Sequence, residues 1–363
     1  MIAFLIPMHH KFTTKKKAQF SEKLVKWYRT HYRDLPWRNT KDPYRIWLSE
    51  IMLQQTTVAQ GTDYYHRFLT ALPTLTDLAQ APLDQVLKLW EGLGYYSRAR
   101  NLHATAIHIH KELEGQFPDT YDSLLNLKGV GTYTAAAIAS FVYDLPHVVV
   151  DGNVLRVISR LHGIIEPVDL PSTKKLITQL AQELLEFQRP EEFNQAIMEF
   201  GALCCTYKNP SCDTCPFKKS CVAYKKKVVS TIPLKSKKVK KKSRYFHLYT
   251  ILDEDDSTLI YQRKSKDVWQ GLYAFPLIEV ETYGDTPPPP GALASLKLKA
   301  MDDSETYRQT LTHQYIHARF HYYRMNSKFG KIPKEYKIQS WSKLAELAFP
   351  KIINNYLQCE PRI

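Results

Sequence analysis

Five of the six cysteines fall between positions 204 and 221, and four of them follow the spacing Cys205-x6-Cys212-x2-Cys215-x5-Cys221. Four thiolates this close together can close one tetrahedral zinc site or hold one cubane iron–sulfur cluster, and the spacing is compatible with both. Such tight clustering favours a metal centre over disulfides. The sequence therefore predicts a loop that folds around a metal, with Cys204 as a packing thiol outside the ligand pattern.

The distribution of apolar residues changes along the chain. Up to residue 224 they recur at helical spacing, which predicts helices over 18–32, 49–70, 83–90, 97–113, 132–143, 172–187 and 193–204. Later runs of β-branched and aromatic residues predict strands at 245–252, 258–263 and 317–325. The predicted fold class is a mainly α region followed by a smaller α+β domain.

A strongly basic segment separates these two parts. Between Lys225 and Arg244 there are nine lysines, one arginine and no acid, which is +10 of the formal net charge of +14. A basic chain favours a polyanionic partner such as DNA, although such a run also suits a solvated linker. No apolar run is long enough to span a bilayer, and the apolar residues 1–8 lack the basic region and cleavage site of a signal peptide. We therefore expect a cytoplasmic protein without a membrane partner.

A short turn with two glycines, Gly129-Val130-Gly131, directly precedes a predicted helix. Such a turn between helices directs backbone N–H groups outward, where they suit a phosphate group. Further along, Asp151 and Asn153 follow a run of three valines. The turn is a weak signal by itself, because many helix connections contain two glycines.

In this order, the glycine turn, the acid after an apolar run and the four spaced cysteines resemble the iron–sulfur branch of the helix-hairpin-helix glycosylase superfamily. The resemblance implies a [4Fe–4S] cluster, in place of zinc, on Cys205, Cys212, Cys215 and Cys221. It also implies the domain boundaries: a glycosylase region at 18–224, made of a six-helix barrel at 44–144 and a cluster-containing subdomain from 18–43 and 145–224, then a basic linker at 225–244 and a Nudix-like domain at 245–358.

Three features are similar to the MutY adenine glycosylases within that branch. The segments Leu35-Pro36-Trp37-Arg38 and Trp47–Thr56 follow the MutY pattern, and the chain has added C-terminal α+β sequence. Tyr133 stands where strand-cleaving members carry a nucleophilic lysine, and a phenol cannot form a Schiff base. The resemblance therefore implies a monomeric, monofunctional enzyme that removes adenine opposite 8-oxoguanine or guanine in double-stranded DNA.

Two carboxyl groups carry the chemistry that the resemblance implies. Glu50 lies in an otherwise apolar helical segment, where burial raises the pKa of a carboxyl group, so we expect it to be the general acid. Asp151 is expected to stay ionised and to stabilise the cationic sugar, as in glycoside hydrolysis generally. Tyr133 and Asn153 are expected to hold and polarise this pair.

The resemblance also assigns residues that contact the DNA. Arg38, Trp37 and Gln195 are expected to line the pocket that receives the flipped-out base. Gln54, Gln55 and Tyr95 are expected to insert into the base stack at the position that the flipped-out base leaves. Near the C-terminus, Leu311-Thr312-His313 stands where MutY proteins have a Phe-Ser-His loop. Thr312 and His313 are therefore expected to recognise 8-oxoguanine.

Three other functions remain compatible with parts of the sequence. An endonuclease III-like glycosylase for oxidised pyrimidines would share the fold, but Tyr133 disfavours its lyase step. A non-catalytic iron–sulfur protein that binds DNA or senses redox state would not need both Glu50 and Asp151. A nucleotide pyrophosphohydrolase is disfavoured because Trp269–Pro276, which resembles the strand entering a Nudix box, is not followed by carboxylates at the helical spacing that Mg²⁺ needs.

Overall fold

The computed structural model describes residues 12–236 and 240–359, which divide into two compact units. Unit 1 comprises the described parts of Met1–Tyr65 and His108–Lys238, and unit 2 those of His66–Ile107 and Val239–Ile363. The predicted apolar segment 1–8 and positions 237–239 of the predicted linker lie outside the described residues.

The chain up to residue 225 is helical. Its helices, in chain order, are α1 (Thr14–His31), α2 (Pro43–Leu53), α3 (Val58–Ala71), α4 (Leu75–Gln80), α5 (Leu83–Leu89), α6 (Ser97–Glu112), α7 (Tyr121–Leu125), α8 (Thr132–Tyr143), α9 (Gly152–His162), α10 (Pro171–Leu185), α11 (Pro190–Leu203) and α12 (Val222–Lys225), with a 3₁₀ helix at Pro36–Arg38. Helices α3 and α6 each run from one unit into the other.

The core of unit 1 lies between α1, α9, α10 and α11. Leu24, Ile158, Ile177, Phe193 and Phe200 are almost completely buried there. Burial of an apolar side chain of this size stabilises the fold by about 1.5–3 kcal/mol. This packing brings the beginning of α9, at Asn153, close to the C-terminal end of α11, at Gly201, and both helices carry predicted site residues.

Unit 2 contains a mixed β-sheet. Its strands are β1 (Lys242–Leu252), β2 (Ser257–Gln262), β3 (Tyr273–Ala274), β4 (Leu277–Val280), β5 (Lys299–Asp303), β6 (Tyr307–Thr310), β7 (Gln314–Arg324) and β8 (Lys337–Ser340). Strand β1 pairs in parallel with β7 and antiparallel with β2 and β4, while β5 and β6 pair antiparallel with β7. The C-terminal helix α13 (Lys351–Cys359) covers one face, where Tyr356 stacks on Phe320 with ring centroids 3.9 Å apart.

Residues 66–107, which the sequence places in the predicted barrel, contact the C-terminal chain within unit 2. Arg100 donates a 2.6 Å hydrogen bond to the carbonyl of Gln270, and Asp84 accepts one of 2.8 Å from the Tyr273 hydroxyl. The Phe349 N–H donates to Glu91 over 2.9 Å. The compact units therefore differ from the predicted domain boundaries at 66–107, and the domain division itself stays a prediction.

The predicted fold class, a helical region followed by an α+β domain, is confirmed. The single helix predicted over 49–70 is wrong, because the chain forms α2 and α3 with a break between them. Gln55 adopts a left-handed φ of 62°, which ends α2, and the Thr57 hydroxyl accepts a hydrogen bond from the Gln60 N–H at the start of α3. In the described ranges, no helix is long and apolar enough to cross a bilayer.

Candidate active site and its supporting loops

Glu50 lies in the middle of α2, and 5% of its surface is exposed. Helix α2 begins at Pro43 after Asp42, whose side chain accepts a hydrogen bond from the Tyr44 N–H. The Tyr133 hydroxyl donates a 2.6 Å hydrogen bond to Oε2 of Glu50. Burial raises the pKa of Glu50 to about 7, and the bond from Tyr133 opposes this shift. Because Oε2 accepts from Tyr133, the proton of neutral Glu50 is available on Oε1.

Tyr133 is the second residue of α8, and the charges of both predicted catalytic carboxyl groups act on its hydroxyl. Burial raises its pKa well above the ordinary value, and the charges of Glu50 and Asp151 raise it further. The phenol therefore stays protonated at neutral pH. It acts as a hydrogen-bond donor to Glu50 and not as a base.

Asp151 is the N-cap residue of α9, and both of its carboxylate oxygens accept hydrogen bonds. Oδ1 accepts from the Val154 N–H over 2.8 Å, and Oδ2 accepts from the side-chain amide of Asn153 over 2.6 Å. Burial raises the pKa of Asp151, whereas these hydrogen bonds and the nearby Arg156 charge favour the ionised form. The helix N-terminus also favours a negative charge at this position.

A cavity of about 250 Å³ connects these groups within unit 1. Its volume lies just below the range of about 300–1,000 Å³ that is usual for small-ligand pockets. The walls contain the predicted acid, the second carboxylate, both positioning residues and all three predicted base-pocket residues: Glu50, Asp151, Tyr133, Asn153, Arg38, Trp37 and Gln195. The structure therefore brings together seven residues from five separate stretches of the sequence.

Glu199 also lines this cavity, and it was not predicted from the sequence. It accepts hydrogen bonds from the guanidinium groups of Arg33 and Arg38 over 2.7 and 2.9 Å. Burial raises the pKa of Glu199, but these bonds outweigh it and lower the pKa to about 2. The signal was available, since Glu199 follows Gln195 by four residues on one face of α11.

Gln195 is held at the cavity wall by a residue of α1. Its side-chain oxygen accepts a 2.8 Å hydrogen bond from the Tyr28 hydroxyl. Its amide nitrogen lies 3.5 Å from a carboxylate oxygen of Glu191, one turn earlier on α11. Trp37 packs edge-to-face on Tyr65 with ring centroids 5.4 Å apart. These contacts orient polar and flat groups around the cavity before any ligand enters.

Arg156 on α9 connects the Asp151 region with the cysteine loop. Its guanidinium donates to the side-chain oxygen of Asn153 over 2.8 Å and to the carbonyl of Cys205 over 2.7 Å. One turn further, Arg160 is 2% exposed and donates to the sulfur of Cys205 over 3.4 Å. These two arginines were also missed from the sequence, although their spacing at i and i+4 places both on one face of α9.

The four cysteines of the spaced pattern line one small cavity of about 30 Å³, together with Cys204 and Arg160. Within residues 12–236 and 240–359, no three cysteine, histidine or acidic side chains are grouped closely enough to hold a metal ion. The donor set still fits an iron–sulfur cluster, because four thiols line one cavity. Two of the sulfurs also have N–H donors at 3.4 Å: the Arg160 guanidinium at Cys205 and the Phe217 backbone at Cys215.

The predicted hairpin and stack-filling residues of unit 1 lie close to each other. Gly129 has a left-handed φ of 80°, and Gly131 is the N-cap residue of α8 without a side-chain cap. The N–H groups of the first turn of α8 can therefore meet a phosphate. Gln54 and Gln55 form the break after α2, and the Gln54 amide lies 3.4 Å from the Thr134 hydroxyl on α8.

Tyr95, Thr312 and His313 belong to unit 2, where the structure brings them together. They line a separate pocket of about 620 Å³. Tyr95 has a left-handed φ of 49° and is 44% exposed, and its hydroxyl is hydrogen-bonded to the hydroxyl of Thr312. Thr312 and His313 lie in the exposed turn between β6 and β7.

A broad basic concavity of about 1220 Å³ lies beside the cysteine loop. Five lysines line it: Lys208, Lys218, Lys219, Lys225 and Lys227. The predicted linker begins here, but part of it packs on unit 1. Ile232 is 2% exposed, and the Val168 N–H donates to the carbonyl of Leu234 over 3.0 Å.

Comparison with known proteins relates both parts of the chain to described families. The model of the HhH-GPD superfamily of base excision DNA repair proteins matches residues 48–187, and the NUDIX domain model matches residues 247–359. An adenine DNA glycosylase of Buchnera aphidicola subsp. Schizaphis graminum is 40% identical over 265 residues, which cover 71% of this chain and 74% of that protein.

Two further similarities extend this result. An adenine DNA glycosylase of Mus musculus is 43% identical over 233 residues, which cover 62% of this chain and 45% of that protein. Among solved structures, a thermostable thymine-DNA glycosylase is 30% identical with a TM-score of 0.54, over 59% of this chain and 99% of that one. The helical part of the chain therefore shares its fold with enzymes that cleave bases from DNA.

Proposed function

Because the chain belongs to the MutY family of adenine DNA glycosylases, we propose that it removes adenine that is mispaired with 8-oxoguanine or guanine in double-stranded DNA. Hydrolysis of the N-glycosyl bond of adenine in base-excision repair is the activity of this enzyme. Beyond this activity, we propose that the substrate is an A:8-oxoguanine or A:G mispair and that the product is an abasic site in an uncleaved strand. We also propose that the enzyme acts as a monomer in the cytoplasm. The observation that carries it is the cavity that joins Glu50, Tyr133 and Asp151.

Glu50 is the general acid in this proposal. A purine leaves as a neutral base only if a proton reaches one of its ring nitrogens, and a carboxyl group with a pKa of about 7 can hold that proton at neutral pH. The Tyr133 hydroxyl donates a hydrogen bond to Oε2 of Glu50, so in this proposal Oε1 carries the proton that is transferred to the leaving base. After the base has left, the Glu50 carboxylate can activate a water molecule.

Asp151 stabilises the positive charge that develops on the sugar. Its two oxygens are fixed by the Val154 N–H and the Asn153 amide, so the carboxylate is held in place before the substrate arrives. Two carboxyl groups, one protonated and one ionised, are the arrangement that glycosidic bond hydrolysis requires. Because Tyr133 replaces an amine at the start of α8, the proposed enzyme forms no Schiff base and leaves the strand intact.

The adenine enters the cavity as a base flipped out of the duplex. Trp37 supplies a flat apolar surface, while Gln195 and Arg38 supply hydrogen-bonding groups at the wall. The ion pair of Arg38 with Glu199 keeps the guanidinium in place and neutralises its charge. Gln54 and Gln55 are positioned at the α2–α3 break to fill the space that the base leaves.

Phosphate contacts hold the enzyme on the duplex in this proposal. The N-terminus of α8 after Gly131 and the lysines of the basic concavity are the candidate contacts. Cys205, Cys212, Cys215 and Cys221 would hold the [4Fe–4S] cluster, which would supply the cross-link that fixes the loop carrying Lys208, Lys218 and Lys219. Thr312 and His313 are the candidate residues for recognising 8-oxoguanine in unit 2.

A single-turnover assay tests this function. The enzyme is incubated with a labelled duplex that contains one A:8-oxoguanine pair, and the products are separated with and without alkali treatment. We expect strand breakage only after alkali, because an abasic site breaks under alkali and an intact strand does not. Breakage without alkali would contradict the monofunctional assignment, and intact adenine in the presence of folded, iron-containing enzyme would contradict the proposed substrate.

A further inference from the structure

Arg100 on α6 holds one residue of the C-terminal chain with two hydrogen bonds. Its guanidinium group donates to the backbone carbonyl of Gln270 over 2.6 Å and to the side-chain oxygen of the same residue over 3.1 Å. Both donors belong to one rigid, planar group. The two bonds therefore fix the orientation of Gln270 relative to α6 as well as its distance from the helix.

The turn that contains Gln270 packs directly on α5 and α6. Gly271 has a left-handed φ of 84°, and a Cβ atom at this position would lie 3.3 Å from Cδ1 of Leu87 and 3.6 Å from Cδ of Arg100. Trp269 is also left-handed, with a φ of 65°, and 7% of its surface is exposed. This turn is therefore fixed in conformation and in close contact with both helices.

Asp84 on α5 is a second anchor for the same part of the chain. Its Oδ2 accepts a 2.8 Å hydrogen bond from the Tyr273 hydroxyl, and its Oδ1 accepts one of 2.8 Å from the side-chain amide of Gln262. The Gln262 amide also donates to the carbonyl of Gly271 over 3.0 Å. Asp84 and Arg100 together therefore hold β2, β3 and the chain between them against α5 and α6.

Both anchors belong to the unit that forms the pocket of about 620 Å³. Residues on both sides of Tyr95 line this pocket, and so does the β6–β7 turn with Thr312. Helix α6 begins two residues after Tyr95, and β7 begins two residues after Thr312. Because β7 is joined to β3 through β1 and β2, the Arg100 anchor sets the position of Thr312 relative to Tyr95.

We propose that Arg100 and Asp84 are positioning residues for the recognition of the base opposite adenine, so that residues 66–107 belong to the lesion-recognition site. The inference rests on the recognition of 8-oxoguanine by Thr312 in the proposed function. Neither anchor touches the DNA, and together they hold Tyr95 and Thr312 at a spacing at which both reach the same nucleotide. Fewer groups then lose conformational freedom on binding, which favours the complex. The glycosylase family model includes residues 66–107, but they pack with the C-terminal chain in unit 2.

The test measures single-turnover excision rates on A:8-oxoguanine and A:G duplexes for variants of the full chain and takes their ratio. Arg100→Met removes both donors and keeps an extended side chain. The ratio should fall by about 2–10-fold, the equivalent of one net hydrogen bond to the lesion. Arg100→Lys keeps one donor for the Gln270 carbonyl and should recover part of the ratio. Lys111→Met, an exposed exchange at the end of the same helix, should leave the ratio unchanged.

A double-mutant cycle separates positioning from a general effect on the fold. Because Arg100 acts through Thr312, the double variant Arg100→Met/Thr312→Ala should have the rate ratio of Thr312→Ala alone, within about 2-fold. Losses that multiply in the double variant would contradict the positioning role. An equal loss of rate on both duplexes in Arg100→Met would contradict it as well, because that result assigns Arg100 to the general fold.

Asp84→Asn is an independent and milder variant. It leaves either the Tyr273 hydroxyl or the Gln262 amide without its acceptor, so the ratio should fall in the same direction. This variant decides the question if Arg100→Met is insoluble, and an unchanged ratio in Asp84→Asn contradicts the proposal. A wild-type enzyme with equal rates on both duplexes would instead contradict the recognition of 8-oxoguanine, and adenine retained in both duplexes would contradict the proposed function.

Discussion

The cavity around Glu50 and the pocket beside Thr312 differ in how their side chains are held. In unit 1, Glu50 and Asp151 are deeply set, and each is fixed by hydrogen bonds from a neighbour. In unit 2, Thr312 and Tyr95 are exposed and are fixed mainly by each other. The first site has a rigid polar interior, whereas the second is a surface formed by two turns.

This difference matches the two tasks proposed for the enzyme. Bond cleavage depends on carboxyl groups whose protonation states are set by burial and fixed donors, so small changes there should alter the rate strongly. Recognition of the opposite base depends on a few exposed polar contacts, which contribute less free energy each. Changes in unit 1 should therefore have much larger effects on excision than changes in unit 2.

The largest expected effect is that of Glu50→Gln, which removes the acid proton and keeps the shape of the side chain. A positioned general acid contributes about 10²–10⁴-fold to a rate, so the single-turnover excision rate should fall by about that factor. Binding of the A:8-oxoguanine duplex should stay within about 3-fold of wild type, measured by fluorescence anisotropy. Glu112→Gln, an exposed exchange of the same type at the end of α6, is the control. An active Glu50→Gln enzyme would remove Glu50 from the acid role.

Asn153→Ala is expected to have the next largest effect. It removes the 2.6 Å hydrogen bond to Oδ2 of Asp151, and hydrogen bonds to charged groups contribute about 1.5–3 kcal/mol. The excision rate should fall by about 10–100-fold, as a loss in the single-turnover rate and not in duplex binding. Asn355→Ala, at an exposed position of α13, should leave the rate unchanged. A variant with lower affinity but an unchanged rate would assign Asn153 to DNA binding instead.

Tyr133→Phe should move the pH dependence of excision. With a pKa of about 7, Glu50 loses its proton as the pH rises through neutrality, so the wild-type rate should fall on the alkaline side. The Tyr133 hydroxyl stabilises the carboxylate, and its removal favours the protonated form. The decline of the rate on the alkaline side should therefore move to a pH higher by about one unit, which is measured as the single-turnover rate against pH. If this decline stays at the same pH or moves to lower pH, the Tyr133 hydroxyl does not stabilise the Glu50 carboxylate.

The secondary structure was predictable where the local pattern is sufficient. Helix α8 occupies 132–143 as predicted, because the glycine turn precedes its first residue and its apolar run ends before Asp144, which adopts a left-handed conformation. Strands β5, β6 and β8 were not predicted, since each has only four or five residues with mixed polarity. Their pairing with β7 or β2 determines them, and that information is not local.

The candidate site shows the same limit at the level of side chains. The segments that contain Glu50 and Asp151 carry recognisable motifs, so these residues were predicted. For Glu199 the spacing of four residues from Gln195 marks only a shared helix face, and its ion-pair partner Arg33 is 166 residues away in sequence. Arg156 was missed for the same reason, as its acceptors on Cys205 and Gly201 come from other parts of the chain.

The smallest expected effect is that of Thr312→Ala in the exposed pocket of unit 2. Removal of one hydroxyl that contacts a base should cost about 0.5–1.5 kcal/mol, so the preference for A:8-oxoguanine over A:G should fall by about 2–10-fold. The measurement is the ratio of single-turnover rates on the two duplexes. The rate on A:G should change little, because the Glu50 cavity is untouched. Thr282→Ala, another exposed threonine of the C-terminal chain, is the matched control. An unchanged ratio in Thr312→Ala would exclude its hydroxyl from recognition of 8-oxoguanine, and an equal loss on both duplexes would make the turn a general DNA contact.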